Sequence, residues 1–385
     1  MTCLIAVSCS PYAGIPSHYH ALLDEAIVHA GENAVELKKA LDEAPREQKE
    51  GMAFLIAYMP EADLQTLSGA FLLKNVDLAY TARNRFPWAQ SVPDSVFLND
   101  VLPYISMDET REEWREDFYN RFSEYVKDCQ TLKEAIYAVN RNIRNEVGVD
   151  YNTKRKRPNQ SPSESMEIGM ASCSGLSILL TDAFRAVGIP SRIAGTARWH
   201  DNRGNHTWCE VWLDGQWYFT EYYIEDLDRA WFMADAGKAK PGNPEYAVFA
   251  TSYKPAESYF PMVWNRRSKD VPGIDVTQHY IDVYNKVIKD KANSGNFVKM
   301  QVKMYKDPQH TKLSDDRLKV NVDIFKGADQ VGGGSTAGPT QDMNDVLEFL
   351  VEKNSEYTLK YFPGGEAKEK TVKIGEEAIE VILFP

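Results

Sequence analysis

The chain has 385 residues, 43% of them hydrophobic, and a net charge of −12 at pH 7. That length accommodates two or three domains of ordinary globular composition, and the negative charge argues against nucleic acid as a partner. No run approaches the ~20 apolar residues of a membrane-spanning helix, and Cys3, Cys9, Cys129, Cys173 and Cys209 have neither the spacing of a disulfide framework nor that of a CxxC zinc site.

Residues 1–16 read as a signal remnant or tether. Ala6-Val7-Ser8 before Cys9 looks like the end of a bacterial lipoprotein signal, although a basic leader is missing and the apolar core is short. If the true start lies upstream, Cys9 is a lipid-modified membrane tether and the protein is exported to the cell envelope; otherwise it is cytoplasmic.

Residues 17–147 read as a helical domain. Leu22, Leu23, Ala26, Ile27, Ala30, Ala34, Leu37 and Leu41 suggest one amphipathic helix, and Phe118, Phe122 and Val126 mark another. A third starts at Thr131, whose hydroxyl caps the N-terminus while Glu134 returns the bond. Phe86-Pro87-Trp88 and Val92-Pro93-Asp94 break the pattern between them.

Residues 148–295 read as the part that carries chemistry. Cys173 heads a helix whose apolar stripe is Leu176, Leu179, Leu180, Ala183, Phe184 and Val187, stopped by Gly188 and Pro190. Unpaired N–H groups and the positive end of the dipole at a first helical turn favour thiolate over thiol. Downstream, 205–213 and 216–221 flank Asp214-Gly215, a two-residue hairpin signal. If Leu213 faces Gln216, Trp208 faces Glu221 and His206 faces Tyr223, so Glu221 shares a face with His206 one diagonal step away. Glu225 has the same parity and is the reserve; Asp226 is turned away. Cys173, His206 and Glu221 would then be a nucleophile, a general base and its orienting acid. Cys209 has the opposite parity and is expected in the core. His18, His20, His29, His200, His279 and His310 have no metal-ligand spacing and receive no chemistry. The basic run Lys154-Arg155-Lys156-Arg157 reads as a solvated loop.

These pieces together resemble the transglutaminase-like superfamily, with its papain-like core and Cys, His and Asp or Glu in that order. The resemblance rests on Ser161-Pro162 and Glu164 before Gly169, the Cys173 helix ending in Arg185-Ala186-Val187-Gly188-Ile189-Pro190, and His206-x-Trp208-x-Glu210-Val211-Trp212. It continues through Asp214-Gly215-x-Trp217 to Glu221, and covers about residues 145–225. It implies an α+β fold and cysteine-dependent acyl transfer at an amide or peptide bond, by a peptidase, amidase or transglutaminase with no metal or cofactor. The third member is usually Asp, so Glu221 departs by one methylene. The oxyanion hole would use the Cys173 N–H and an upstream donor, Asn159 or Gln160. Expected substrates are proteins, peptides or peptidoglycan-like fragments, with Trp199, Trp208, Trp212, Trp217, Tyr222 and Tyr223 as possible sugar-stacking rings. The other reading is a catalytically silent binding module of the same fold.

Residues 296–385 change character. Val298 to Met304 and Leu318 to Ile324 alternate, and 357–362, 370–374 and 378–384 read as further strands of an antiparallel β-sandwich. The glycine-rich stretch 331–339 reads as a mobile inter-strand loop.

Overall fold

The computed structural model describes residues 12–223 and 226–385. Cys3 and Cys9, and with them the expected tether, lie outside the described residues, as does Glu225. Among the described residues no helix is long and apolar enough to cross a membrane.

The fold is α+β. Its N-terminal part stacks α1 (His20–His29), α2 (Ala34–Glu43), α3 (Lys49–Ala57) and α4 (Gly69–Arg85). The single helix expected from Leu22 to Leu41 is two helices, because Gly31 takes φ +56° and a 3-10 turn at Gly31–Asn33 separates α1 from α2. Apolar spacing alone misses this break, since Leu23, Ala26, Leu37 and Leu41 all still reach one core.

Next come α5 (Trp114–Val126) and α6 (Leu132–Val147). The Glu134 N–H donates to Thr131 Oγ1 at 3.2 Å, and the Thr131 N–H donates to Glu134 Oε2 at 3.2 Å, the reciprocal cap expected from the sequence. Gly148, at φ +65°, closes the other end. Packing runs straight across the expected division at 147/148. Phe118, Phe122, Ile136, Val139 and Ile143 share one apolar cluster with Leu176, Leu179, Leu180, Ala183 and Val211.

The short α7 (Pro162–Ile168) and the fully embedded α8 (Cys173–Ala186) lead into a six-stranded antiparallel sheet. Its strands are β1 (Ser191–Thr196), β2 (His206–Leu213), β3 (Gln216–Thr220), β4 (Phe249–Thr251), β5 (Ser258–Tyr259) and β6 (Pro272–Asp275), in the order β3-β2-β1-β4-β6-β5. The helix α9 (Thr277–Asn293) connects this sheet to the C-terminal part.

There, β7 (Phe297–Met304), β8 (Asn321–Lys326), β9 (Asp329–Ser335), β10 (Leu347–Glu352), β11 (Glu356–Tyr361), β12 (Lys368–Lys373) and β13 (Ile379–Leu383) form two sheets. Their orders are β9-β8-β11-β12 and β10-β7-β13, and Met300, Val302, Val322, Ile324, Leu359 and Val381 fill the space between. All pairs are antiparallel except β7 with β13, which is parallel. The glycine run is not a mobile loop over its first half, because Val331 to Ser335 belong to β9 and Gly332 to Ser335 pair with β8. A Cβ on Gly334 would stand 2.3 Å from Leu347 Cδ1, and one on Gly333 2.7 Å from Arg203 Nη1. Glycine serves close approach here rather than mobility.

Candidate active site

Ser172 starts α8 by accepting the Gly175 N–H at 3.0 Å, which leaves Cys173 as the first helical residue. The Ser172 hydroxyl in turn donates to the Pro158 carbonyl, so the 158–160 loop is held at the head of the helix. The hairpin that supplies the imidazole has the expected register. Leu213 pairs with Gln216, and the ladder continues in step to Cys209 opposite Thr220. Asp214 and Gly215 take φ +51° and +86°, the left-handed pair that a two-residue hairpin turn requires. Side-chain parity then separates the two faces of β2. Thr207 and Cys209 lie against α8, where Ser174 Oγ reaches Thr207 Oγ1 at 3.3 Å and Cys209 Sγ donates to the Ser177 carbonyl at 3.3 Å. Cys209 is thus the core residue expected, with burial pushing its thiol up to about 12.

His206, the first residue of β2, has left this packed face and sits beside the N-terminal end of α8. Its Nε2 is in a short hydrogen bond with Glu221 Oε1, just past the end of β3. That contact leaves Nδ1 as the nitrogen available to the Cys173 thiol, whose ionisation the ring favours. Both partners are largely screened from water, at 14% and 11% side-chain exposure, so their charges interact in a low-dielectric setting. The ring is clamped among aromatics, with centroid separations of 4.9 Å to Trp231, 5.2 Å to Phe232 and 5.7 Å to Trp208.

Burial by itself would raise the Cys173 pKa. The hydrogen bond and charge of His206, helped by the Thr207 and Ser174 N–H groups, outweigh it and bring the thiol below its usual range. Burial likewise opposes the charged form of His206, and the Glu221 carboxylate together with Cys173 overrides it, holding the imidazolium up to about 10. The arrangement favours a thiolate–imidazolium pair, a state suited to attack on a carbonyl carbon.

The other residues singled out from the sequence fall into place differently. Asp226 is exposed and pairs with Arg229 at 3.0 Å, away from His206. Gln160 is fully buried and its amide is occupied, accepting from the Lys156 N–H at 3.0 Å and donating to the Met170 carbonyl at 3.1 Å. It organises the loop and offers no free donor. Asn159 is buried beside it, with Nδ2 donating to Asp108 and Oδ1 without a partner. In the basic run, Arg157 is tied to Glu164 at 2.6 Å and to Thr110, while Lys154 and Lys156 stay exposed. The rings considered for sugar stacking are mostly interior: Trp199, Trp208 and Tyr222 are buried, and Trp217 lies under the Arg192 guanidinium at 3.9 Å.

One residue was missed by sequence reasoning altogether. Asn140 on α6 donates to the Glu221 carbonyl at 2.7 Å and accepts from Thr220 Oγ1 at 2.8 Å, fixing the point where β3 ends and Glu221 turns toward His206.

Residues 120–222 match the sequence model of the transglutaminase-like superfamily. The chain carries a transglutaminase-like domain. Similar solved structures include a protein from Cytophaga hutchinsonii described provisionally as a cysteine protease. It is 14% identical, with 37% of this chain and 47% of that one covered and a TM-score of 0.29. Red sea bream transglutaminase is 10% identical, with 68% of this chain and 57% of that one covered and a TM-score of 0.28. The chain thus spans about half the length of each. No curated protein matches it. The matched segment of the transglutaminase-like domain begins inside α5 and ends one residue past Glu221. It therefore includes α5 and α6 residues that share the core of α8.

Proposed function

We propose that this protein is a cysteine-dependent acyl-transfer enzyme acting on amide or peptide bonds, with Cys173, His206 and Glu221 as its catalytic set. The observation that carries the reading is the His206 ring, bonded through Nε2 to Glu221 and close enough to Cys173 to bring its thiol below the usual range. In the first half-reaction the thiolate attacks the carbonyl carbon and a tetrahedral intermediate forms. Its oxyanion is met by N–H donors at the head of α8, and His206 gives its proton to the leaving amine as the C–N bond breaks. A thioester remains on Cys173. Water then releases a carboxylic acid in a hydrolase, or an amine forms a new amide in a transglutaminase, with His206 taking the proton of the incoming nucleophile. Glu221 keeps the imidazole in one orientation and stabilises its charged form. Peptides, proteins and peptidoglycan-like fragments are the substrate classes that present such bonds.

The pH dependence of thiol alkylation tests this directly and separates an enzyme from a silent binding module. In the full chain, Cys173 should react with iodoacetamide well below the ordinary cysteine range near pH ~8.5. Cys173→Ala should abolish both that labelling and all turnover against a peptide library offered with and without amine acceptors. An unreactive Cys173 at neutral pH, or turnover retained in Cys173→Ala, would overturn the assignment.

A further inference from the structure

Behind the aromatic residues that clamp His206, three side chains of metal-binding type come together. A ring nitrogen of His200, a carboxylate oxygen of Asp201 and one of Asp235 all lie within 4.8 Å of one another. Asp235, on the one-turn helix Met233–Ala236, has only 1% of its side chain exposed. Its Oδ1 accepts from Arg203 Nη2, but its Oδ2 is buried without any hydrogen-bond partner. His200 Nε2 likewise has no hydrogen-bond partner, its nearest charged group being Asp235 Oδ1 at 3.5 Å. Buried polar atoms of this kind are costly when unmet, and native structures rarely leave two of them side by side.

The charges around the cluster point the same way. Asp201 and Asp235 pair with Arg203, and Asp323 of β8 approaches the same guanidinium at 3.9 Å. Lys319 reaches only the Asp201 carbonyl, at 3.5 Å. Three carboxylates therefore face one directly paired cation, with the His200 imidazole nitrogen beside them. A dication restores the balance. One imidazole and two carboxylates form a nitrogen–oxygen donor set suited to first-row divalent ions, Zn²⁺ foremost, whereas Ca²⁺ takes oxygen donors. Bonds of ~2.0–2.2 Å require the donors to draw together by about 1 Å. His200 retains 23% side-chain exposure and Asp201 11%, which gives them room to turn and leaves an entry path.

We propose that His200, Asp201 and Asp235 bind a divalent transition-metal ion, with Zn²⁺ as the representative ligand. The ion is structural. It joins the loop leading into β2 to the turn that carries Trp231 and Phe232 onto His206, and it does so where Arg203 meets the β-sandwich through Asp323.

The test uses the full chain with Cys173→Ala, so that the thiol–imidazole pair does not compete for zinc. After chelator treatment and dialysis, Zn²⁺ and, separately, Ca²⁺ are titrated by calorimetry, and Tm is followed. One Zn²⁺ per chain is expected, with a rise in Tm and no comparable response to Ca²⁺. His200→Ala and Asp235→Asn should each weaken zinc binding by about tenfold or more. Because His200 makes no hydrogen bond, His200→Ala keeps the test decisive even if Asp235→Asn misfolds. Zinc binding that survives His200→Ala unchanged, an equal response to Ca²⁺, or no stoichiometric binding by the folded chain would each overturn the site.

Discussion

Asn140 holds Glu221 by its backbone, 81 residues away in sequence. Its Nδ2 donates to the Glu221 carbonyl while its Oδ1 accepts the Thr220 hydroxyl proton, so one buried amide sets the point at which a strand stops and a carboxylate swings toward His206. Asn140→Ala leaves two buried polar groups unpaired, at about 1–3 kcal/mol each. The expected result is lower stability in denaturant titrations together with a lower kcat. A merely structural role would leave the alkaline limb of the pH–rate profile in place, whereas a displaced Glu221 moves it toward lower pH.

Glu221→Gln tests the third member of the set itself. Removing the charge that faces Nε2 should lower kcat by more than about tenfold, a loss of ~1.4 kcal/mol or more of transition-state stabilisation, with little change in KM. Asp226→Asn, which touches only the exposed Arg229, should be nearly silent. A crippled Asp226→Asn enzyme beside an active Glu221→Gln enzyme would move the orienting role away from the hairpin.

The pH dependence follows from the same charges. The folded-state pKa of His206, about 10, lies above the ~6.5 of an unfolded chain. Its contribution to stability is therefore complete below pH ~6.5 and is lost as pH rises through about 10. The stability gap between wild type and Glu221→Gln should be present at neutral pH and close across that upper range. In kcat/KM, the alkaline limb of Glu221→Gln should fall at lower pH than that of wild type, because the proton on His206 is held less tightly.

Arg115→Met probes the packing that supports α8. The Arg115 guanidinium is buried and donates to the carbonyls of Val101, Leu102, Pro103 and Arg185 and to Asn75 Oδ1. Methionine fills much of the volume but leaves those acceptors dry, so a loss of about 3 kcal/mol or more is expected by chemical denaturation. An unchanged midpoint would mean that the 101–103 segment relaxes to reach water.

The parts of the site legible in the sequence are those governed by a local period or a local turn. Asp214-Gly215 and strand alternation place Glu221 on the side of His206, and Thr131 with Glu134 marks the start of α6. The helix head at Cys173 follows from its apolar stripe. What escaped was set by contacts between distant segments, where no spacing rule operates. No local spacing marks Asn140 on its amphipathic helix, or the burial of Arg115 and Arg185. Both arginines are buried against backbone carbonyls, Arg185 through those of Asp100, Ile105 and Ser191. The glycine run in β9 failed for the same reason. Close approach by Leu347 and Arg203, invisible along the chain, dictates glycine there.

The shared core of α5, α6 and α8 has a consequence for the order of events during synthesis. Domains tend to organise from the N-terminal side as the chain emerges. α5 and α6 are completed before α8, and α6 arrives with a hydrogen-bonded start at Thr131 and a left-handed stop at Gly148. Those two helices present the apolar surface against which α8 packs, and β2 lies across α8 through Cys209 and Thr207. The helix that Cys173 heads and the strand that His206 begins share one apolar cluster, so thiol and imidazole come together only when that unit folds as a whole. A nascent chain stalled before the hairpin closes would carry an ordinary cysteine.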